Sequence, residues 1–193
     1  MQAFTKTDIC NMALSNLGLA NNVTNIDEPS AQTEKVFAQF YDMVVVKLLK
    51  RERPQFAIYE EDVPATIWAD GSYHYMVPSY ALEVMFVNGY STGWTVEHGE
   101  LMIGLIPPIQ GDKVHIKYLR LIEDTGLYPV EWVELLSWEL AAYCCGRLTQ
   151  DTQMLQLAAS GCQGARQEYQ AINLRSAKPR LKTQAKFNQV WRR

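Results

Sequence analysis

The side chains able to do chemistry in this chain are few, and their spacing works against most reactions. Its three histidines, His74, His98 and His115, have no cysteine near them and no spacing that would bring two metal ligands onto one turn or hairpin. His98 precedes Gly99 and reads as a turn residue, while His115 alternates with Val114 and Ile116 and so faces out of a strand. Solvated imidazoles are the expectation, with no metal and no cofactor. Acids cluster at Glu60-Glu61-Asp62 and at Glu123-Asp124. Hydrolysis of a sugar bond needs two carboxyls held across a cleft, whereas adjacent acids read as solvated loop residues. Asp124, shortly before Pro129, is expected to shape the turn that aims the following helix. The four cysteines, Cys10, Cys144, Cys145 and Cys162, have no ligand spacing and read as small buried hydrophobes. Cys144 and Cys145 are a poor redox pair, because neighbours on a helix point in different directions. A glycine-rich phosphate loop, a nucleophile elbow and a kinase-like set are all missing from the sequence, so no enzymatic activity is expected.

The elements that position these residues follow from periodicity. Ile9, Cys10, Ala13, Leu14 and Leu17 predict a first helix over about 7–18, capped by Thr7 and ended by Gly18. Ser30 is the expected cap of a second helix over about 30–53, with Phe37, Phe40, Tyr41, Val44 and Leu48 on one side and Pro54 forbidding continuation. Over about 63–119 the period changes to two: Leu82, Val84 and Phe86 alternate with Glu83 and Met85, and Val114, Ile116 and Tyr118 with Lys113, His115 and Lys117. Asn88-Gly89, His98-Gly99 and Gln110-Gly111-Asp112 supply turns, and Pro107-Pro108 ends a strand or distorts an edge. A small antiparallel sheet of about four strands is therefore expected between the helices. Tyr128-Pro129 starts a third helix over about 129–150, and Asp151 or Thr152 caps a fourth over about 151–173. On that last helix Leu155, Ala158, Ala159, Cys162, Ala165 and Tyr169 are expected inward, and small residues, Gly161 and Gly164 among them, would admit a neighbouring helix.

The third helix is unusual. Val133, Leu136, Leu140, Cys144 and Leu148 form an ordinary core stripe, but the opposite arc mixes Glu131, Glu134 and Glu139 with Leu135, Trp138, Ala142 and Cys145. A helix apolar almost all round must be covered on every side. It is either a central core helix or one lying between subunits, and in the second case Leu135, Trp138, Ala142 and Cys145 are the interface.

With 48% apolar and 20% charged residues in a chain of 193, one sizeable core is expected. No run approaches the roughly 18 apolar residues of a membrane span, and 1–6 lacks a charged-then-apolar leader, so a soluble chain made in the cytosol and free of membrane is expected. The net charge of -3 conceals an asymmetry: seven of the 18 basic residues fall in 174–193, which holds no acid, leaving 11 bases against 21 acids elsewhere, a net of -10. An acidic body with a basic tail points to an interaction arm. Lys178-Pro179 discourages helix there, while Leu181, Phe187, Val190 and Trp191 are more apolar than a solubilising tail requires. The expected fold class is α+β: mainly an α-helical bundle with an inserted small antiparallel β-sheet, one body over 1–173, and an extended, flexible basic arm over 174–193.

Four segments, taken in order, resemble the head-to-tail connectors of tailed bacteriophages, the adaptor or tail tubular protein A family. They are ICNMALSNLGLANNVTNID; the long helix from PSAQTEKV to RPQFA; YHYMVPSYALEVMFV, similar to a Tyr-x-Leu-Pro element at Tyr75, Val77 and Pro78; and YLRLIEDTGLYPVEWVELLSWELAAYCCGRLTQD. Gln55 stands where the family often has tryptophan, and Val77 where it has leucine. The resemblance implies a ring of about twelve copies beneath the portal protein. That ring would lengthen a channel through which double-stranded DNA passes without sequence-specific binding, and would offer a platform to a downstream tail or nozzle protein. It also implies a protein of the virion, present in the host cytoplasm before assembly, whose C-terminal arm docks on the portal. On this sequence the arm residues are Leu181, Lys182, Lys186, Phe187, Val190, Trp191, Arg192 and Arg193. Two other classes stay open: a nucleic-acid-binding protein using the basic tail with Lys47, Lys50, Arg51 and Arg53, and a peptidoglycan hydrolase carried in the particle.

Overall fold

The structure, a computed structural model, describes residues 4–67, 73–103, 112–149 and 151–176. The chain divides into two compact units, one formed by Met1–Val45 with Asp124–Arg193 and the other by Val46–Glu123. It is a mixed α+β protein of four helices and a six-stranded antiparallel sheet among the described residues.

The first unit is helical. Helix α1 spans Lys6–Asn16 and is capped by Thr5, where Thr7 was expected. Thr5 wins because Asp8 lies three residues on: its amide donates to the Thr5 Oγ1 at 3.1 Å, and the Thr5 amide donates back to its carboxylate at 2.9 Å. Gly18 closes the helix at a φ of 67°, with the Leu19 amide donating to the Leu14 carbonyl. Helix α2 spans Gln32–Glu52 and passes from the first unit into the second. Ser30 was expected to cap it, but the loop before it is tied down by Glu34 instead. This buried carboxylate accepts from the amides of Thr24, Asn25, Ser30 and Ala31 and from the hydroxyls of Thr24 and Ser30, at 2.7 to 3.2 Å. These donors, the Ala31 amide foremost, hold the Glu34 carboxyl far below its ordinary 4.5. As pH falls below that value the unfolded chain takes up the proton first, so the contribution of Glu34 to stability is present above it and lost below.

Helix α3 spans Val130–Leu148; Pro129 stands just before it, its carbonyl accepting from Trp132 and Val133. Helix α4 spans Thr152–Ser176, with Asp151 accepting from the Gln153 amide. It continues three residues past the expected start of the arm, because no glycine or proline interrupts the chain between Gly164 and Lys178-Pro179. Trp132, fully buried, meets Tyr128 and Tyr169 edge-on at 6.5 and 5.4 Å, which joins α3 to α4. The Asn16 side-chain amide donates to Ser137 Oγ at 3.0 Å, joining α1 to α3.

The second unit is the sheet: β1 (Ile58–Ile67), β2 (Tyr73–Met76), β3 (Ala81–Val87), β4 (Trp94–Glu97), β5 (Glu100–Ile103) and β6 (Lys113–Arg120), in the spatial order β3-β6-β1-β2-β5-β4. It begins five residues before the expected 63 and has more strands than expected. Asn88-Gly89 and His98-Gly99 make the turns foreseen for them, with positive φ at both residues of each pair. Pro107-Pro108, Gln110 and Gly111 lie outside the described residues. One face packs Val63, Tyr75, Val87, Leu101, Val114, Ile116 and Tyr118 into a core. The other carries charge: Lys117 pairs with Glu60 at 2.8 Å, and Lys113 and His115 with Asp62 at 2.5 and 2.9 Å. The run Glu60-Glu61-Asp62, expected in a loop, thus lies within the first half of β1: Glu60 and Asp62 stand opposite Lys117 and His115 of β6, while Glu61, opposite Ile116, accepts from the Tyr80 hydroxyl.

Candidate assembly surface

The two surfaces expected to make contacts fare differently. Of the four α3 residues proposed for a subunit interface, Leu135 and Cys145 are fully buried by their own chain and present nothing to a second copy. Trp138 is partly buried and lies against Gly161 of α4, so closely that a Cβ there would overlap its ring. Ala142 is partly buried as well. Helices α1 and α4 both pack on α3, and the Arg147 guanidinium sits 5.7 Å from the centre of the Phe40 ring on α2. The surplus of apolar residues round α3 is consumed within the chain, as in a central core helix. The arm residues Leu181, Lys182, Lys186, Phe187, Val190, Trp191, Arg192 and Arg193 lie outside the described residues.

Polar chemistry at the α3–α4 junction is structural in character. Glu139, buried, accepts from Arg166 Nη2 at 2.5 Å and from the Cys162 thiol at 2.9 Å. A buried carboxylate is tolerated only with such partners, so this cluster fixes the register of the two helices. All four cysteines are buried and reduced. Burial, then the neighbouring Cys145, pushes the Cys144 thiol up to about 12, and burial raises Cys10 also, which makes both inert.

The remaining candidates are occupied in the sheet. His74 pairs with Glu100, His115 with Asp62, and His98 sits in its turn. Hydrogen bonds from Lys113 and then His115 lower the Asp62 carboxyl, and the same bond raises Lys113. Among the described residues no three of His, Cys, Asp or Glu are grouped to hold a metal ion, and no helix is long and apolar enough to cross a membrane. In the basic cluster at the end of α2, Arg51 pairs with Glu52 at 3.0 Å and Arg53 with Glu83 at 2.6 Å.

What periodicity misjudged is α4. Leu155 and Ala159 were expected inward, yet both are exposed, Leu155 to 47%. The buried stripe is narrow, made of Ala158, Cys162, Ala165 and Tyr169, because Gly161 lets Trp138 in and brings the helices close. Leu157 and Leu174 are left 51% and 69% exposed. Glu168 is the sole charged residue among the exposed positions of 152–174. Counting charges along the helix would have pointed to this face; counting apolar residues pointed to α3 instead. Comparison of the chain with models of known protein families finds no match, and comparison with curated proteins finds none either.

Proposed function

We propose that the chain is a structural head-to-tail connector of a tailed bacteriophage, without catalytic activity. Copies assemble into a ring of about twelve under the portal, in the virion at the junction of head and tail. The ring extends the DNA channel and provides the platform for a downstream tail or nozzle protein. In this reading the helices are the ring body, the sheet an insertion into it, and the C-terminal segment beyond Ser176 an arm for the portal.

The observation that carries the reading is the order of elements. Two helices, an antiparallel module from Ile58 to Arg120, a proline-led apolar helix and a long last helix follow one another as the four resembling segments imply. Charge supports it. A body of net charge -10 lets DNA slide past without adhering, since like charge opposes phosphate binding. A basic arm carrying Phe187 and Trp191 suits an acidic, grooved partner on which it folds as it binds.

Light scattering of the chain with and without portal rings tests this. The expected result is a defined increase in the mass of the portal particle, lost when 177–193 are deleted while the circular dichroism of the body is unchanged. A chain that leaves the portal's mass unaltered would overturn the reading, and equal docking by the truncated form would remove the arm from it.

A further inference from the structure

The described sheet ends on one side at β4, and the two faces of that edge differ in chemistry. Pairing with β5 is regular over all four residues, from Trp94 opposite Ile103 to Glu97 opposite Glu100, and Thr95, Val96 and Glu97 are exposed. On one face Trp94 and Ile103 pack against the sheet core, and Val96 on the same side is left 41% exposed. On the other, Glu97 stands directly opposite Glu100, a placing of like charges that weakens a hairpin. Glu100 has His74, whereas Glu97 meets no base among the described residues and accepts only from the Thr95 hydroxyl, at 3.4 Å. An edge strand leaves backbone amides and carbonyls without ladder partners, and β4 carries neither lysine nor proline to turn another strand away. The opposite edge, β3, is better guarded: its register with β6 shifts twice, and none of its residues is exposed.

The C-terminal arm holds a segment of matching pattern. Leu181, Thr183, Ala185 and Phe187 alternate with Lys182, Gln184 and Lys186, the period of a strand with one largely apolar and one basic face, and 177–193 as a whole has six bases and no acid. We infer that residues 181–187 of a second copy add to the free edge of β4 as a further strand, held by main-chain hydrogen bonds. The apolar alternates then continue the face of Trp94 and Val96, and the lysines come beside Glu97 and Glu100 and offset the repulsion between them. The reverse facing would set lysine beside Trp94 and Val96 and leave the carboxylates unanswered, so the alternation decides which side goes where. A second β4 edge is a poorer occupant, because it brings the same acid with it. Lys178-Pro179 biases the chain between α4 and the run toward extended form, a reach of about 13 Å over four residues. Exchange of one segment between identical copies joins them without a broad surface between their bodies. Val190, Trp191, Arg192 and Arg193 lie beyond the run, and the inference does not depend on the connector reading.

Sedimentation velocity of the full chain over a concentration series, with hydrogen exchange of the 94–97 amides in the same samples, tests the added strand. The parent chain should associate as its concentration rises, and exchange in β4 should slow in step. Lys182→Glu with Lys186→Glu should weaken association at least about tenfold, and so should Glu97→Lys. Joining the three substitutions should recover part of that loss, because the charges are then exchanged between the partners. Glu97 is exposed and faces another acid, so Glu97→Lys should melt no lower than the parent chain. Lys178→Glu with Arg180→Glu makes the same change of charge outside the run and should associate like the parent. A parent chain that stays monomeric at every concentration would overturn the inference. Equal weakening by the control pair, or protection of β4 that does not vary with concentration, would overturn it as well.

Discussion

Helices α3 and α4 lie side by side and divide the work of the helical unit unequally. Helix α3 buries Trp132, Val133, Leu135, Leu136, Leu140, Ala141, Cys144 and Cys145 and leaves little of itself in water. Helix α4 buries Ala158, Cys162, Ala165 and Tyr169 and leaves outside a face on which Glu168 is the sole charge among the exposed positions of 152–174. Apolar surplus therefore marks the centre of this unit, whereas a lack of charge marks its free face. The physical reason is that apolar area is covered wherever cover exists, and the chain supplies that cover itself.

The difference can be attacked first at its buried end. Leu135→Ala should cost about 2–5 kcal/mol in urea unfolding, the usual result of a core cavity. A loss below about 1 kcal/mol, joined to failed assembly, would return Leu135 to a subunit interface. Glu139→Ala should cost less, about 1–3 kcal/mol, because Arg166 keeps 33% of its side chain exposed and can be rehydrated. Next come two glycines of one helix with opposite outcomes. Gly161→Ala forces the Trp138 ring aside and should destabilise by about 1–3 kcal/mol, partly offset by better helix propensity. Gly164→Ala meets nothing within 4 Å and should stabilise by about 0.5–1 kcal/mol. The same sign at both sites in thermal melts would dissolve the distinction between the two sides of α4. The smallest effect is on reactivity rather than stability: in the folded chain at mildly alkaline pH, Cys144 should alkylate at least about a hundredfold more slowly than a cysteine placed at Gln163.

Where local chemistry decides the structure, the sequence was legible. Gly18 and the Asn88-Gly89 and His98-Gly99 turns are held by backbone preferences, Asp151 by capping, and β6 by clean alternation. What escaped is what depends on partners distant in the chain. Glu60-Glu61-Asp62 reads as loop until Lys117 and His115 stand opposite Glu60 and Asp62 and Lys113 reaches Asp62 from the same strand. Glu34 gave no sign that it would gather the loop from Thr24 to Ala31, and Thr5 outcompeted Thr7 only because of Asp8. Leu155 faces out because one glycine, Gly161, narrows the contact between α3 and α4, a matter of packing that periodicity does not carry.

Imaging portal rings mixed with the full chain by electron microscopy tests the proposed connector most directly. The expected result is an additional ring stacked on one end of each portal particle, missing when 177–193 are deleted. Bare portal rings beside free monomers, at concentrations where the parent chain is in excess, would contradict it.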